Sequence, residues 1–419
     1  MIIEYTYRFR IYPNKEQEDF LNIQFGHCRF VYNYFLTLSK KEYEEQGIKW
    51  KYSRYQSMLP ALKKEYQFLK QANSQSLQVA LQNLDTAYKN FFKREAGFPK
   101  FKKKKSKQTV HIPQHFSIER KSRKRGLLKI PKLKTPIKIK IHRNIEGQIR
   151  SISITKAPDG RYYLNVLTKK EIRSLKETGE TAGIDVGIKE FAIIYDGENT
   201  HHIENPKYLQ KSERRLIKLQ RQLSRKQKGS KNWEKARQKV AKQHQKIVNQ
   251  RKDFLHKVST AITKQYDCFV VESLNIKGMI RNEKLSKQIA DVSWYEFMRM
   301  LEYKAKWYGR KIIKADRFYA SSKTCNVCGY KNNQLTLSVR KWKCPICKTT
   351  HDRDENASKN LYKIGLTHLT NLRFEHAERH STGGRVGTTR AEACGAGTVG
   401  GMFSNGQTTR HPAVKQETS

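Results

Sequence analysis

The chain lacks any run of about 18 consecutive apolar residues, the length a bilayer-crossing helix needs. Its first ten residues alternate apolar and polar instead of forming the apolar core of a signal peptide. Both absences make a cytoplasmic protein without a membrane partner the expectation. A disulfide framework is missing as well. Of seven cysteines, four fall in two CxxC pairs and Cys28, Cys268 and Cys394 are scattered, a usage that fits a reducing compartment. Acid is scarce beside base: 38 Asp and Glu face 85 Lys and Arg, a formal charge of +47 over 419 residues. A folded chain with that excess repels itself unless a polyanion neutralises it, and counterion release makes nucleic acid the natural partner.

What is present divides the chain into two unlike parts. Residues 2–12 alternate as a strand ended by Pro13, and Asn14 with Gln17 three residues later forms a capping-box signal for a helix. Helical periodicity follows to about Phe92. It is clearest from Ser74 to Phe92, where Leu77, Leu81, Leu84, Tyr88 and Phe91 recur on one face. The linker at 97–107 mixes Phe98 and Phe101 with lysines, so Lys102, Lys103 and Lys104 are candidate nucleic-acid contacts. Strand character returns over 110–168. In 137–142 three isoleucines alternate with Lys138, Lys140 and His142, which predicts an apolar face on a core and a basic face on phosphates. Pro158, Asp159 and Gly160 mark a hairpin.

From about Thr181 the order is two strands, a long helical stretch broken at Lys228-Gly229-Ser230, a buried-type strand at 268–273, a helix over 291–309, a strand at 310–316 and a last helix near Asp354. That order predicts α/β layering. Residues 367–419, with eight of the 23 glycines in 381–406 and almost no aliphatic periodicity there, are expected to be a disordered tail.

Two constellations carry chemistry. Cys325 and Cys328 are followed after fifteen residues by Cys344 and Cys347. Each CxxC turns as a knuckle, and two knuckles at this spacing predict a structural zinc ribbon with four cysteine ligands and no open coordination position. The second is a set of acids. Asp185 lies between glycines in an apolar run, Glu272 ends an apolar strand, and Asp354 opens the last helix. Three carboxylates brought together repel one another unless cations bind between them. Two Mg2+ ions about 4 Å apart would suit such oxygen ligands and phosphodiester hydrolysis. Asp354 alone could equally cap its helix.

On these residues the chain resembles the TnpB family of transposon-encoded proteins, relatives of compact type V CRISPR effectors. The resemblance rests on YRFRIYPNKEQ, CRFVYN, the 74–92 helix with GFPKF, GIDVG, VVESLNIKGM, SSKTCNVCG, the second CxxC and HDRDENA. It implies a multidomain α+β chain: a wedge-type β-barrel (1–12 and 108–178) with an inserted helical recognition domain (13–107), then an RNase H-like (RuvC) α/β nuclease domain (179–320 and 351–366). The zinc ribbon (321–350) is inserted in the latter. It also implies that Asp185, Glu272 and Asp354, rather than Asp352, form the catalytic triad, with Arg353 and Asn356 as neighbours. The partners implied are a guide RNA from the transposon end, one protein per guide, and double-stranded target DNA beside a short motif, with Tyr52, Gln75 and Gln78 as candidate readers. Guide pairing then reads sequence while protein reads shape. Ser358 departs from the family's usual alanine. A catalytically silent RNA-guided repressor, or a transposase, are the alternatives.

Overall fold

The computed structural model describes residues 1–104, 107–336 and 338–381. Strand β1 (Ile2–Tyr12) buries Ile3, Tyr7, Phe9 and Ile11, half-buries Tyr5 and exposes Glu4, Thr6 and Arg8. Pro13 ends it, and the capping box forms as expected: Gln17 N donates to Asn14 Oδ1 at 2.9 Å and Asn14 N to Gln17 Oε1 at 3.0 Å. Helix α1 (Lys15–Gln46) then runs to Gly47, whose φ of 67° closes it. Helices α2 (Tyr52–Glu65) and α3 (Ser74–Phe92) follow, the latter capped by Asn73. The expected stripe of α3 packs inward, with Leu77, Leu81, Leu84 and Tyr88 buried.

Strands β2 (Gln108–Ile112), β3 (Ser117–Arg120), β4 (Arg125–Lys129), β5 (Ile137–Lys140), β6 (Gln148–Lys156) and β7 (Tyr162–Glu171) join β1 in an antiparallel sheet of order β2-β6-β7-β1-β5-β4-β3. The helices lie between β1 and β2 in sequence and share one apolar core with the sheet. Ile137 and Ile139 of β5 are buried while Lys138 and Lys140 are exposed, as the alternation predicts. Among the described strands β2 and β3 remain unpaired edges, so the sheet curls without completing a ring of hydrogen bonds.

The second sheet holds β8 (Thr181–Val186), β9 (Glu190–Tyr195), β10 (Thr200–Glu204), β11 (Cys268–Val271) and β12 (Lys311–Lys314), in the order β10-β9-β8-β11-β12. The β8-β9-β10 part is antiparallel and β8, β11 and β12 are parallel. Parallel neighbours need crossovers. These are α4 (Tyr208–Ser224) with α5 (Lys231–Gln265), then α6 (Ile276–Met279), α7 (Glu283–Val292) and α8 (Trp294–Tyr308). Ser230 caps α5 just after Gly229, whose φ of 92° makes the expected break. Phe269 and Val271 face a core with α5 and α8, whereas Val270 faces Leu361 on the opposite side. A small hairpin, β13 (Lys341–Lys343) with β14 (Thr350–Asp352), leads into α9 (Arg353–Ser381).

Backbone contact between α9 and β8 is unusually close. A Cβ on Gly183 would lie 2.1 Å from Ser358 O and 2.3 Å from Tyr362 N. Glycine at that place lets the helix seat on the strand.

Three features differ from the sequence reading. Strand β10 is an additional polar edge strand. The helix expected over 291–309 is α8, and a further helix, α7, precedes it, the two parted at Ser293 with φ 59°. The last helix continues to Ser381, into the segment expected to be tail. Residues 382–419, the rest of that expected tail, and Lys105 and Ser106 of the basic linker lie outside the described residues. Met1–His368 is one compact unit; of the unit beginning at Leu369 the helical backbone to Ser381 is described.

Candidate metal centres

The four ribbon cysteines converge. Their sulfurs all lie within 4.8 Å of one another, with Cys325 to Cys347 at 3.6 Å and Cys328 to Cys344 at 3.5 Å. A tetrahedral ion with Zn–S bonds of about 2.3 Å needs sulfurs roughly 3.8 Å apart. A disulfide needs about 2 Å, so the donor set fits zinc and not a bridge. Two equivalent knuckles build it: Gly329 N bonds Cys325 O at 3.0 Å, and Lys348 N bonds Cys344 O at 3.0 Å. Gly329 and Lys348 both take positive φ, 76° and 60°. Hydrogen bonds from Thr349 bring the Cys347 thiol down to about 6, while burial pushes Cys325 up to about 11. His351, which sequence reasoning passed over, sets Nε2 3.1 Å from Cys325 Sγ, with its ring on Trp342.

The acids meet through sheet register. Ile184 of β8 pairs with Val271 of β11 in parallel, so Asp185 and Glu272, the next residue on each chain segment, emerge side by side. Asp354 reaches the same edge from the first turn of α9. The cap of that helix is Asp352, whose Oδ1 accepts from Asp354 N at 3.1 Å and Glu355 N at 3.4 Å. Asp354 is therefore released from capping. Its Oδ2 takes Arg340 Nη1 at 2.6 Å and its Oδ1 takes Arg353 Nε at 2.9 Å.

Burial lifts the Asp185 carboxyl well above its ordinary range, and the charges of Glu272 and Asp354 add to the rise; Arg353 and Arg340 oppose it. Glu272 is also raised, by burial first, against a hydrogen bond that Ser321 donates to its Oε1. Mutual repulsion in a buried place is what a bound cation relieves. The three acids form a looser set than the cysteines, which are the one group within 4.8 Å among the described residues.

The two centres are tied together by α9. Asn356 Nδ2 donates to Thr324 O at 2.7 Å and its Oδ1 accepts from Asn326 N at 2.9 Å. Asn360 Nδ2 donates to Thr324 O at 2.6 Å and Ser321 O at 2.8 Å. Both asparagines are buried. Ser321 and Asn360 had no sequence signal as site residues, because their partners are distant in sequence, and Arg340, which its place on the basic ribbon hairpin suggests as a nucleic-acid contact, pairs with Asp354.

Candidate nucleic-acid contacts are placed unevenly. Lys140 joins Arg8, Arg10 and Tyr163 around a pocket of about 430 Å³, with the Arg8 guanidinium 3.9 Å from the Tyr163 ring centre; Lys138 is exposed nearby. Lys102 is held by Asn33 and lies over Tyr32, and the Lys103 and Lys104 carbonyls accept from Gln108. Tyr52 packs on the helical core with its hydroxyl buried, and Gln75 bonds Gln114 at 3.0 Å, while Gln78 is exposed. Arg353 is largely buried as a counter-ion of Asp354.

Known proteins resemble the chain along most of its length. Residues 164–283 match a family described as "Probable transposase", 294–361 a "Cas12f1-like, TNB domain", and 1–48 a "Helix-turn-helix domain". A "Putative RNA-guided DNA endonuclease" of Streptomyces pristinaespiralis is 35% identical over 369 residues, covering 87% of this chain and 90% of the relative. "Putative RNA-guided DNA endonuclease InsQ" of Escherichia coli is 30% identical, covering 86% and 92%. "TnpB-like protein L79" of Acanthamoeba polyphaga mimivirus is 32% identical over 27% of this chain and 23% of its own length.

The chain belongs to the TnpB family.

Solved structures extend the likeness to fold. Cas12f1, from a complex with sgRNA and target DNA, superposes with TM-score 0.50 at 15% identity, covering 86% of this chain and 99% of that one. The mini-RNA-guided endonuclease CRISPR-Cas phi3 gives 0.51 at 8%, covering 87% and 92%. For this TnpB-family chain the helix-turn-helix description does not match local geometry: residues 1–48 are β1 and one 32-residue helix.

Proposed function

We propose that the chain is an RNA-guided endonuclease that cuts double-stranded DNA by Mg2+-dependent phosphodiester hydrolysis at Asp185, Glu272 and Asp354. The observation that carries the reading is the meeting of these carboxylates at one sheet edge, two of them raised by burial and mutual charge. Two bound Mg2+ ions would supply Lewis-acid stabilisation and an activated water. The chain's own part is to hold three oxygen donors on rigid elements, β8, β11 and α9, so that repulsion is already built in when cations arrive. Ser321 orients Glu272 through its hydroxyl. The four cysteines would hold zinc, and zinc would keep the loop that carries Arg340 in register with α9.

Relatives named as RNA-guided DNA endonucleases support an RNA guide and a DNA target for this chain. A guide from the transposon end, a short flanking motif, one chain per guide and a cytoplasmic setting belong to the same proposal. So does the division into wedge (1–12, 108–178), recognition (13–107), nuclease (179–320, 351–366) and ribbon (321–350) parts.

The test is to co-express the chain with its adjacent transposon-end RNA and incubate the complex with plasmids carrying randomised target flanks. Linear product that requires guide match, Mg2+ and Asp185, and disappears in EDTA or in Asp185→Ala, is the expected result. Guide-dependent binding without cutting would make the protein a guided binder.

A further inference from the structure

Residues 172–180 carry the chain from β7 of the first sheet to β8 of the second. A free linker of that length wanders, with a root-mean-square span of ~17 Å. This one is gripped along its length. Ile172 exchanges backbone bonds with Met1, its N–H to Met1 O at 2.8 Å and the terminal amine to Ile172 O at 2.9 Å. Leu175 N donates to Tyr308 O at 3.1 Å, and Arg310 Nη2 to Lys176 O at 2.9 Å. Asp267 then takes the end: its Oδ2 accepts from Thr178 N and Gly179 N, both at 2.7 Å, and its Oδ1 from the Thr178 hydroxyl at 3.1 Å. The Arg310 guanidinium pairs with Asp267 Oδ1 and donates through Nε to Thr263 O at 3.1 Å. That side chain is only 1% exposed. A guanidinium buried this deeply is tolerated because its donors are matched, and its planar fork then holds one geometry.

Most of the grip comes from four consecutive residues at the end of α8. Trp307 lies between Tyr303, ring centres 4.5 Å apart, and Tyr5 of β1, at 5.7 Å. Tyr308 and Arg310 bond the linker. Between them Gly309, at φ 69°, makes room: a Cβ there would stand 2.9 Å from Ser174 Oγ. The joint also lies where the parallel strands of the second sheet begin. Asp267 N donates to Glu180 O at 2.9 Å, and Lys311 N to Asp267 O at 2.8 Å. From there β8 and β11 run side by side to Asp185 and Glu272, about 13 Å on at 3.3 Å per residue. No loop intervenes between the joint and these two acids.

We propose that this joint fixes the distance from the first sheet to the acids and so sets which phosphodiester is cut, with Asp267 and Arg310 as its positioning residues. Successive phosphates of a strand are about 3.4 Å apart. A linker free over ~17 Å would blur the cut over about five of them, whereas the gripped linker holds one register. The inference rests on the nuclease reading above, with the guide carried by the first sheet, and one arm of its test needs no cutting.

The full chain with its RNA is given a guide-matched duplex, and the ends produced on the guide-paired strand are mapped by sequencing. Arg310→Ala and Asp267→Ala are expected to widen the wild-type distribution of ends by about five nucleotides, with guided target binding and bound zinc unchanged. Because either change disturbs a buried pair, a second variant leaves that pair intact and inserts Gly-Ser-Gly between Lys176 and Glu177; it widens the ends as well. Thr178→Val, which keeps both backbone donors to Asp267, widens them least. In parallel, spin labels at exposed Lys138 and Glu198 report the distance from the first sheet to the second. The wild type gives one narrow distance distribution and the variants a broad one. Folded variants that cut with wild-type ends, or that keep the wild-type distance, overturn the joint. A complex that never cuts, but whose distance broadens in Arg310→Ala and in the insertion, supports the joint and defeats the nuclease reading instead.

Discussion

The cysteine cluster and the carboxylate cluster are built on opposite principles. The four cysteines come from a short stretch, each pair shaped by its own turn, and their sulfurs stand at the separation one ion needs. The three acids come from β8, the end of β11 and the start of α9, and meet only because the sheet places those strands side by side. One site is local and close to finished. The other is assembled late, keeps its repulsion, and has arginines on its most accessible member. A structural ion rewards geometry prepared in advance, whereas a site for reaction has to hold charges that would rather part.

Removing zinc should break the comparison most severely, since structural zinc contributes about 10–16 kcal/mol in small ribbons. Chelation is expected to strip residues 321–350 of amide-exchange protection and to loosen the start of α9, leaving the seven-stranded sheet protected. Uniform protection after verified metal loss would show the ribbon stands without its ion.

Next in size, Asp185→Ala should lower cutting by about three orders of magnitude or more while metal analysis still finds zinc bound. Loss of zinc with the acid would mean the two centres are one.

Gly183→Ala sharpens the contrast from the side of assembly. A methyl group would press on the α9 backbone at 2.1 Å and 2.3 Å, a cost of about 2–3 kcal/mol. Thermal unfolding should shift down, with cysteine zinc affinity intact.

The smallest effect runs the other way. Because the folded Asp185 carboxyl is raised, its stabilising contribution is complete below the ordinary carboxylate pKa near 4 and is lost as pH climbs through the raised value. In divalent-free buffer the stability of the wild type relative to Asp185→Asn should therefore fall as pH rises above the ordinary carboxylate range. Denaturant midpoints of both proteins across a pH series decide it; a difference that grows in favour of the wild type with rising pH would contradict the sign.

Much of this was legible in the sequence where the cause is local. The Asn14–Gln17 box, the α3 stripe, the break at Gly229 and the CxxC pairs each depend on residues within a turn or two. Strand β10 was missed because THHIE is a polar edge, defined by its pairing with β9 and not by any apolar alternation. The break at Ser293 needs a positive φ at a residue that carries no glycine or proline signal. Helix-start chemistry alone does not separate Asp352 from Asp354, and in the sequence only the resemblance chose between them; hydrogen bonds assign the cap to Asp352. Tyr52 and Gln75 carry no signal beyond polarity in the sequence; the fold packs Tyr52 against the helical core and joins Gln75 to Gln114.

The chain order of these parts carries a last consequence. Asp354 is translated after every cysteine of the ribbon and enters α9 directly from the ribbon's closing strand. A nascent chain can thus form both sheets and hold two of the proposed catalytic acids while the third is still missing. On the nuclease reading, the third acid joins the other two only after the whole ribbon that precedes it has been made.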